Sequence, residues 1–497
     1  MKTIVFIEPR PPDDHIFSRY GLPRLGILIL GSILENAGYY VKAFVEDLAD
    51  IDLREVLKAD LVGISTITST APRAYEIARL LKKRGKVVVM GGAHVTFLPD
   101  EALQYCDFVL RGEAEESILP FMRALETGQD LGQVPGLSFR VGDKFFHNPP
   151  ASACLDLNRL PFPDFSLLKG KLHDIRPVLT SRGCPFDCSF CTVTQIFGRH
   201  YRFRSKESVL RELRGIEPDQ TIFFYDDNFT AKPSRTKELL RMMIEEKITP
   251  RWTAQVRADA ADDDELLDLM QKSNCHYVYI GIESVNPDTL KEFNKKLTLE
   301  QIEDAIPKFH AHNIRIHGMF VLGSDHDNVE TIRNTAKFAK KNRIDTVQFM
   351  IMTPMPGTKL YYDLKEQKRL LTTDWSLYDG HHVVYEPKKM SPVDLQVETV
   401  RAMRAFYSIW EIIKVTVRFD FLAMILKAYG HCLQVRWQKR NRNYFQLIRE
   451  ATASAGLRLD SAARKRAEDI KERLRQITAK EAPEPPQDQP QARAKSR

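Results

Sequence analysis

The chain has 497 residues, 43% hydrophobic and 28% charged, with a formal net charge of +7. That length allows two or three domains with sizeable cores, and the composition is that of an ordinary soluble protein. The apolar run in the N-terminal MKTIVFIEPRPPDD is too short for a signal peptide and no run of 18 apolar residues occurs, so a cytoplasmic chain without a membrane span is expected, and seven cysteines suit a reducing compartment.

Residues 1–135 alternate short apolar runs with amphipathic stretches. The runs are 3–7, 40–45, 61–65, 87–90 and 108–110, and the helical patterns include 25–36 and 71–82. Continuous apolar strands joined by helices predict a doubly wound parallel sheet, covered on both faces, with a ligand at the carboxyl ends of its strands. Those ends carry Ser65, Thr66 and Thr68, then Gly91 and Gly92, then Gly112 and Glu113. Glycine lets a ligand approach the backbone and hydroxyls can donate to it, although turn chemistry alone would also use such residues. The first strand runs into Glu8-Pro9-Arg10-Pro11-Pro12 with no GxGxxG, which speaks against a nicotinamide site.

Residues 136–172 read as a hairpin around a Val-Gly-Asp turn followed by an extended, proline-containing linker. The strand–helix pattern resumes over 173–365, with strands from Val178 to Thr180 and over 221–225, 251–255, 277–280, 315–321 and 346–350. Six such units predict a partial barrel with its chemistry at the C-terminal strand ends. The first strand leads into Arg182-Gly183-Cys184-Pro185-Phe186-Asp187-Cys188-Ser189-Phe190-Cys191, three cysteines at CxxxCxxC spacing. Thiolates are the usual ligands of iron–sulfur clusters, and three of them on a four-iron cluster leave one iron open to a substrate or cofactor. A structural zinc site would want a fourth ligand, and His200 is the only local candidate. Cys106, Cys154, Cys275 and Cys432 have no partners at ligand spacing and read as core or surface thiols.

At this motif, with an aromatic before its third cysteine (Phe190), the chain resembles the radical S-adenosylmethionine (SAM) enzymes. The resemblance implies that a 4Fe-4S cluster on Cys184, Cys188 and Cys191 chelates SAM and cleaves it to a 5′-deoxyadenosyl radical. It further implies that Asp226, Asp227 and Asn228 hold the SAM amino group, that Arg257 pairs with its carboxylate, and that Glu283 accepts from ribose hydroxyls. Gly323 and the turn at 353–358 would shape the adenine pocket. A buried structural ion pair is the competing role for Arg257 and Glu283. The N-terminal part resembles the cobalamin-binding domain that precedes many radical SAM enzymes, which brings cobalamin to the loops named above. Asp13-Asp14-His15 stands where such domains offer a histidine to cobalt, but Ser18 replaces the glycine of that motif, so His15 is not expected to be a ligand. The implied chemistry is methylation of an unactivated carbon, with an external reductant such as ferredoxin or flavodoxin. The alternatives are an oxidative cyclase of the anaerobic magnesium-protoporphyrin ester cyclase type and a cobalamin-binding regulator with a vestigial radical domain.

Beyond residue 365 the strand–helix pattern stops. The loop 374–382 is polar and aromatic and could close over the barrel mouth, with His381 and His382 as an exposed pair. The region 366–480 reads as mainly helical, and residues 401–480 hold 18 Lys/Arg against 7 Asp/Glu. A basic, aromatic-rich helical segment can lie on an anionic membrane and deliver an apolar or lipid substrate; a helical cap with a solvated basic face is the other reading. No nucleic-acid-binding fold is readable, so no nucleic-acid partner is expected. Residues 481–497, rich in Pro, Gln and Ala, are expected to be disordered.

Overall fold

The computed structural model describes residues 2–11, 22–151, 153, 156–170, 174–198, 200–217 and 219–456. His15, Cys154 and the tail 481–497 lie outside the described residues. Residues 1–445 form one compact unit and 446–497 a second, of which only the end of the helix Arg442–Gly456 is described.

The first sheet contains β1 (Thr3–Glu8), β2 (Tyr40–Val45), β3 (Leu61–Ser65), β4 (Val87–Gly91) and β5 (Phe108–Leu110), parallel in the order β5-β4-β3-β1-β2. Ile4, Val5, Ile7, Val62, Ile64, Val88 and Met90 are all buried, because helices cover both faces. Chain order reverses between β1 and β3, so a crevice opens beyond their carboxyl ends. β6 (Leu137–Val141) adds antiparallel to β5, β7 (Lys144–His147) antiparallel to β6, and β8 (Leu168–Lys169) parallel to β2. The hairpin and the end of the linker thus cover the two edges of the five-stranded sheet, whose amides would otherwise face water.

The second sheet is β9 (Ile175–Val178), β12 (Thr221–Phe224), β13 (Trp252–Val256), β14 (Cys275–Glu283), β15 (Arg315–Leu322) and β16 (Thr346–Ile351), all parallel and adjacent in chain order. Between its first two strands, β10 (Ser181–Arg182) and β11 (Arg202–Phe203) form a small antiparallel ribbon. β9 ends at Val178, two residues before Thr180, because Asp226 accepts from the amides of Thr180 (2.7 Å) and Ser181 (3.0 Å) and turns the chain out of the sheet. Alternation divides the two faces. Ile222, Phe224, Trp252, Ala254, Val278, Ile280, Ile316, Val347 and Phe349 are buried under helices. Phe223, Gln255, Tyr277, Tyr279, Met319, Gln348 and Met350 fall on the opposite, concave side and are half-buried.

The helix Pro392–Phe406 packs on β16 and on the helix Val329–Lys341. The loop 374–382 is held at the end of β16, where Ile351 N donates to Gly380 O at 2.7 Å. Trp375 is buried against the N-terminal sheet's connections: its Nε1 donates to Glu101 (2.8 Å), and its ring meets His94 at 5.1 Å. The two histidines are not an exposed pair. His382 is 2% exposed, with Nδ1 at 2.9 Å from Asp379 and Nε2 at 2.8 Å from Asn441, and partners on both ring nitrogens are what let an imidazole be buried. Burial would raise the Asp379 carboxyl, but His382 beside it brings it down to about 2.

Trp375→Ala removes the anchor between the C-terminal loop and the N-terminal sheet. Loss of a buried indole should lower the apparent unfolding free energy by about 3–5 kcal/mol, measured by denaturant titration.

Candidate active site

The cysteine loop leaves the ribbon at Arg182. Gly183 has φ +85°, and a Cβ there would lie 2.8 Å from the His200 carbonyl, so glycine is required for the turn. His200, the candidate zinc ligand, contributes that carbonyl, and its side chain is exposed. The loop is cradled by the turn after the helix Pro287–Glu292. Ser189 Oγ donates to Glu292 O at 3.1 Å, Asn294 Nδ2 to Asp187 O at 2.9 Å, and Phe190 packs on Phe293 at 4.8 Å.

Cys184, Cys188 and Cys191 are free thiols, half-buried and within electrostatic reach of one another. Burial raises all three, Cys191 to about 12. Among the described residues no three His, Cys, Asp or Glu side chains converge to hold a single metal ion. A cube of iron and sulfide holds its thiolates farther apart than one zinc ion would. Its cationic core would relieve the burial penalty, so three thiols without a fourth ligand fit that group.

Four polar residues surround the thiols. Asp227 is pushed up to about 7 by burial and by Asp226 beside it, against the Gly183 N–H that points at it. Arg257 lies 3.8 Å over the Phe186 ring, donates to Lys295 O at 3.1 and 3.2 Å, and pairs with Asp259 at 3.2 Å. Glu283 pairs with Lys295 at 2.8 Å, and both are buried and act electrostatically on Cys188. Glu283 sits at a register shift between β14 and β15 with φ +65°, a strained conformation that turns its side chain toward this group. At Gly281 a Cβ would meet the Lys295 ammonium at 2.9 Å.

Two members of the 226–228 triplet are otherwise engaged. Asp226 is fully buried and spends its carboxylate on Thr180 and Ser181. Asn228 is buried, its Oδ1 accepting from Thr230 and its carbonyl from Tyr201. Gly323, at φ +101°, donates its N–H to Asp327 (3.0 Å) and accepts from Tyr385. Of the 226–228 triplet, Asp227 is the member that acts on the thiols.

In the N-terminal crevice, Gly92 (φ +100°) packs against the Thr66 backbone, and a Cβ there would overlap the Thr66 carbonyl. Thr66 N donates to Gly91 O at 2.8 Å, Thr68 is buried in the following turn, and Gly112 N donates to Thr96 Oγ1 at 2.9 Å. Ser65, Gly91 and Gly112 remain half-buried, open space lies beside Gly112, and Arg111 Nε is buried without a hydrogen-bond partner. These features fit a large polar-edged ligand. Glu113 does not face that space. It pairs with Arg182 (3.0 Å) and Arg202, while Glu115 takes the other arm of Arg182 at 2.6 Å. A carboxylate at this burial needs such partners.

Sequence reading missed Lys295, Arg24 and the concave aromatics. Lys295 lies in Asn-Lys-Lys, which reads as a solvated turn. Arg24, 3.4 Å from Glu8 and donating to Ser65 O at 3.1 Å, stands at the strand-order reversal. The period-two aromatics of Phe223, Tyr225, Tyr277 and Tyr279 are a signal that could have been used.

An acid whose pKa is higher folded than unfolded favours the fold in its protonated form. The stability Asp227 contributes is complete below about pH 4 and is lost as pH rises through about 7. Asp227→Asn should therefore flatten the pH dependence of unfolding of the metal-free chain between about pH 4 and 7; an unchanged slope would place the titrating charge elsewhere.

The chain matches the Radical SAM superfamily model over residues 178–339 and the B12 binding domain model over residues 18–119. It is 32% identical over 428 residues to an uncharacterized methyltransferase, PH0819, of Pyrococcus horikoshii, spanning 82% of this chain and 93% of that protein. It is 32% identical over 391 residues to the bacteriochlorophyllide d C-12(1)-methyltransferase of Chlorobaculum tepidum, spanning 76% and 82%. To the anaerobic magnesium-protoporphyrin IX monomethyl ester cyclase of Cereibacter sphaeroides it is 27% identical over 436 residues, 81% and 70% of the two chains. Its fold is similar to two solved structures. One is the radical SAM methyltransferase TsrM of Kitasatospora setae with cobalamin and a 4Fe-4S cluster bound (TM-score 0.63, 18% identity, 74% of this chain and 78% of that one). The other is the cobalamin-dependent radical enzyme OxsB with aqua-cobalamin and SAM bound (TM-score 0.64, 15% identity, 97% and 80%). No helix among the described residues is long and apolar enough to cross a membrane. With both family models in this order, and with relatives of this identity matched over most of both chains, the chain belongs to the cobalamin-binding radical SAM enzymes and uses a 4Fe-4S cluster, SAM and cobalamin.

Proposed function

We propose that the enzyme methylates an unactivated carbon of a large apolar substrate, a tetrapyrrole or a lipid. The observation that carries the substrate class is the concave face of the barrel. Phe223 and Tyr225 lie 5.2 Å apart, Phe223 and Tyr279 5.4 Å, and Tyr279 and His317 4.9 Å, with Met319 and Met350 on the same face. Burial holds His317 near 3, hence neutral, so this wall carries little charge. A flat or greasy molecule is accommodated there by aromatic contact and exclusion of water. The Chlorobaculum relative, a bacteriochlorophyllide d methyltransferase, supports the same class.

In this reading residues 1–135 hold cobalamin beside Ser65, Gly91 and Gly112, with Thr66, Thr68 and Gly92 shaping the loops. Residues 173–365 hold the other two cofactors. Cys184, Cys188 and Cys191 hold the cluster, and Phe190 packs the loop in place. When bound, these cofactors supply a methyl group from one SAM, which leaves as S-adenosylhomocysteine, and an acceptor for the substrate hydrogen from a second, which leaves as 5′-deoxyadenosine and methionine, with two electrons from a ferredoxin- or flavodoxin-type donor. Asp227 receives the SAM ammonium, whose charge would lower its raised pKa. Arg257, held flat by Phe186, presents its guanidinium to the carboxylate, and Glu283 accepts from ribose hydroxyls while Lys295 fixes its position. The protein's own contribution is to hold the reacting carbon between two cofactor sites with water excluded.

Anaerobic reconstitution should load about four iron atoms per chain. The Cys184→Ala, Cys188→Ala, Cys191→Ala triple variant should load none, and equal loading would refute the assignment of the cluster. Turnover with pigment or lipid extracts of a deletion strain should give S-adenosylhomocysteine and 5′-deoxyadenosine together. 5′-Deoxyadenosine alone would indicate an oxidative cyclase like that of the Cereibacter relative, and neither product a regulator.

A further inference from the structure

Half of the exposed large apolar side chains among the described residues fall within residues 409–435, so they form a patch rather than the usual scatter. The patch is a helical hairpin, Ile409–Val417 packed on Phe421–Arg440. On the first helix Ile409, Ile413 and Val417 recur every four residues on one face, and Trp410 beside them is 73% exposed. On the second, Phe421 and Ile425 continue the stripe. At the tip Phe419 is 78% exposed and has φ +59°, unusual for an aromatic residue. The turn is pinned: Asp420 pairs with Arg315 of β15 at 2.8 and 3.0 Å and caps the second helix by accepting from Ala423 N at 3.1 Å. That clamp fixes the turn at whose tip Phe419 is exposed.

The charges near the patch are mostly basic. Lys414, Arg418, Arg436, Lys439 and Arg440 are exposed, while the two acids of residues 409–440, Glu411 and Asp420, are already paired with Lys414 and Arg315. A two-fold contact between copies through this face would set the bases of one against those of the other. We infer that the hairpin docks on an anionic lipid surface, with Trp410, Val417, Phe419 and Phe421 entering the headgroup layer and the bases lying against phosphate. Interfacial helices have this composition, a short apolar stripe with Trp and Phe flanked by Lys and Arg, and neither helix here is apolar enough to span. The inference rests on the patch and does not depend on which substrate the barrel takes.

The test is flotation of the full chain with vesicles of phosphatidylcholine alone or mixed with phosphatidylglycerol. The chain should float with the mixed vesicles at low salt and bind the neutral ones, or the mixed ones at high salt, about tenfold less. Trp410→Glu, Phe419→Glu, Phe421→Glu should lose the binding with the thermal unfolding midpoint unchanged. Arg418→Gln, Arg436→Gln, Lys439→Gln, which leaves the apolar face intact, should lose the preference for phosphatidylglycerol and serves as the test if the first variant unfolds. The inference is overturned if the full chain stays with the soluble fraction, if the first variant is folded and floats like the native chain, or if the second keeps the preference. It is also overturned if light scattering shows a dimer that the first variant turns into monomer, since a second copy would then cover the face.

Discussion

Four buried charges tie the two cofactor-bearing halves of this enzyme together. Arg182 reaches Glu113 with one arm and Glu115 with the other, and Arg202 shares Glu113. Both guanidiniums and Glu113 have side chains less than a tenth exposed, so each charge depends on the others: removing one strands its partners in a poorly solvated place. Glu113 follows Gly112 in the turn at the N-terminal crevice, and Arg182 stands two residues before Cys184. The pairing therefore fixes the cysteine loop relative to the end of β5, with bidentate geometry that a single hydrophobic contact would not supply. Trp375 on Glu101 and His94, and the close fit of Gly357 against Phe97, brace the same junction from the other side.

Strand alternation divides the labour within the barrel. The outward residues of β12–β16 are aliphatic and aromatic and vanish beneath helices, which gives the scaffold its stability. The inward ones stay half-buried. One departure from that alternation sits beside the cysteine loop. The register slips between Gly281 and Glu283, and Glu283 takes a backbone conformation that a side-chain-bearing residue rarely adopts. The slip persists because the Lys295 ion pair and the small Gly281 over-determine it.

The fold was largely legible because its signals are local. Apolar runs at Thr3–Glu8, Leu61–Ser65 and Thr346–Ile351 announce strands, and CxxxCxxC announces its own chemistry. What depended on distant partners was not. Asp226, Asp227 and Asn228 look alike in sequence, yet Asp226 is consumed by the Thr180 turn and Asn228 by Thr230 and Tyr201. Glu113 lay in a loop read as a ligand cradle, and only Arg182 and Arg202, some seventy and ninety residues on, decide its role. His382 read as solvent-exposed because Asn441, its partner, is 59 residues away. A one-dimensional pattern carries periodicity and motif spacing, and it carries no record of which buried charges meet.

Charge balance around the cysteine loop follows from the same contacts. With ligand thiols ionised, three thiolates, Asp227 and Glu283 stand against Arg257 and Lys295, a local excess of negative charge. Burial first, and that excess second, raises the thiols, Cys191 to about 12, and Asp227 to about 7. A cationic iron–sulfide core together with a sulfonium would remove the need for those protons. The same groups would then be ionised at neutral pH, so occupation of the site and deprotonation of its ligands must proceed together. Lys295 compensates only in part, because its charge lowers the Cys188 thiol while Glu283, which holds its ammonium at 2.8 Å, raises it. These contacts thus leave the frame around the cysteine loop short of positive charge.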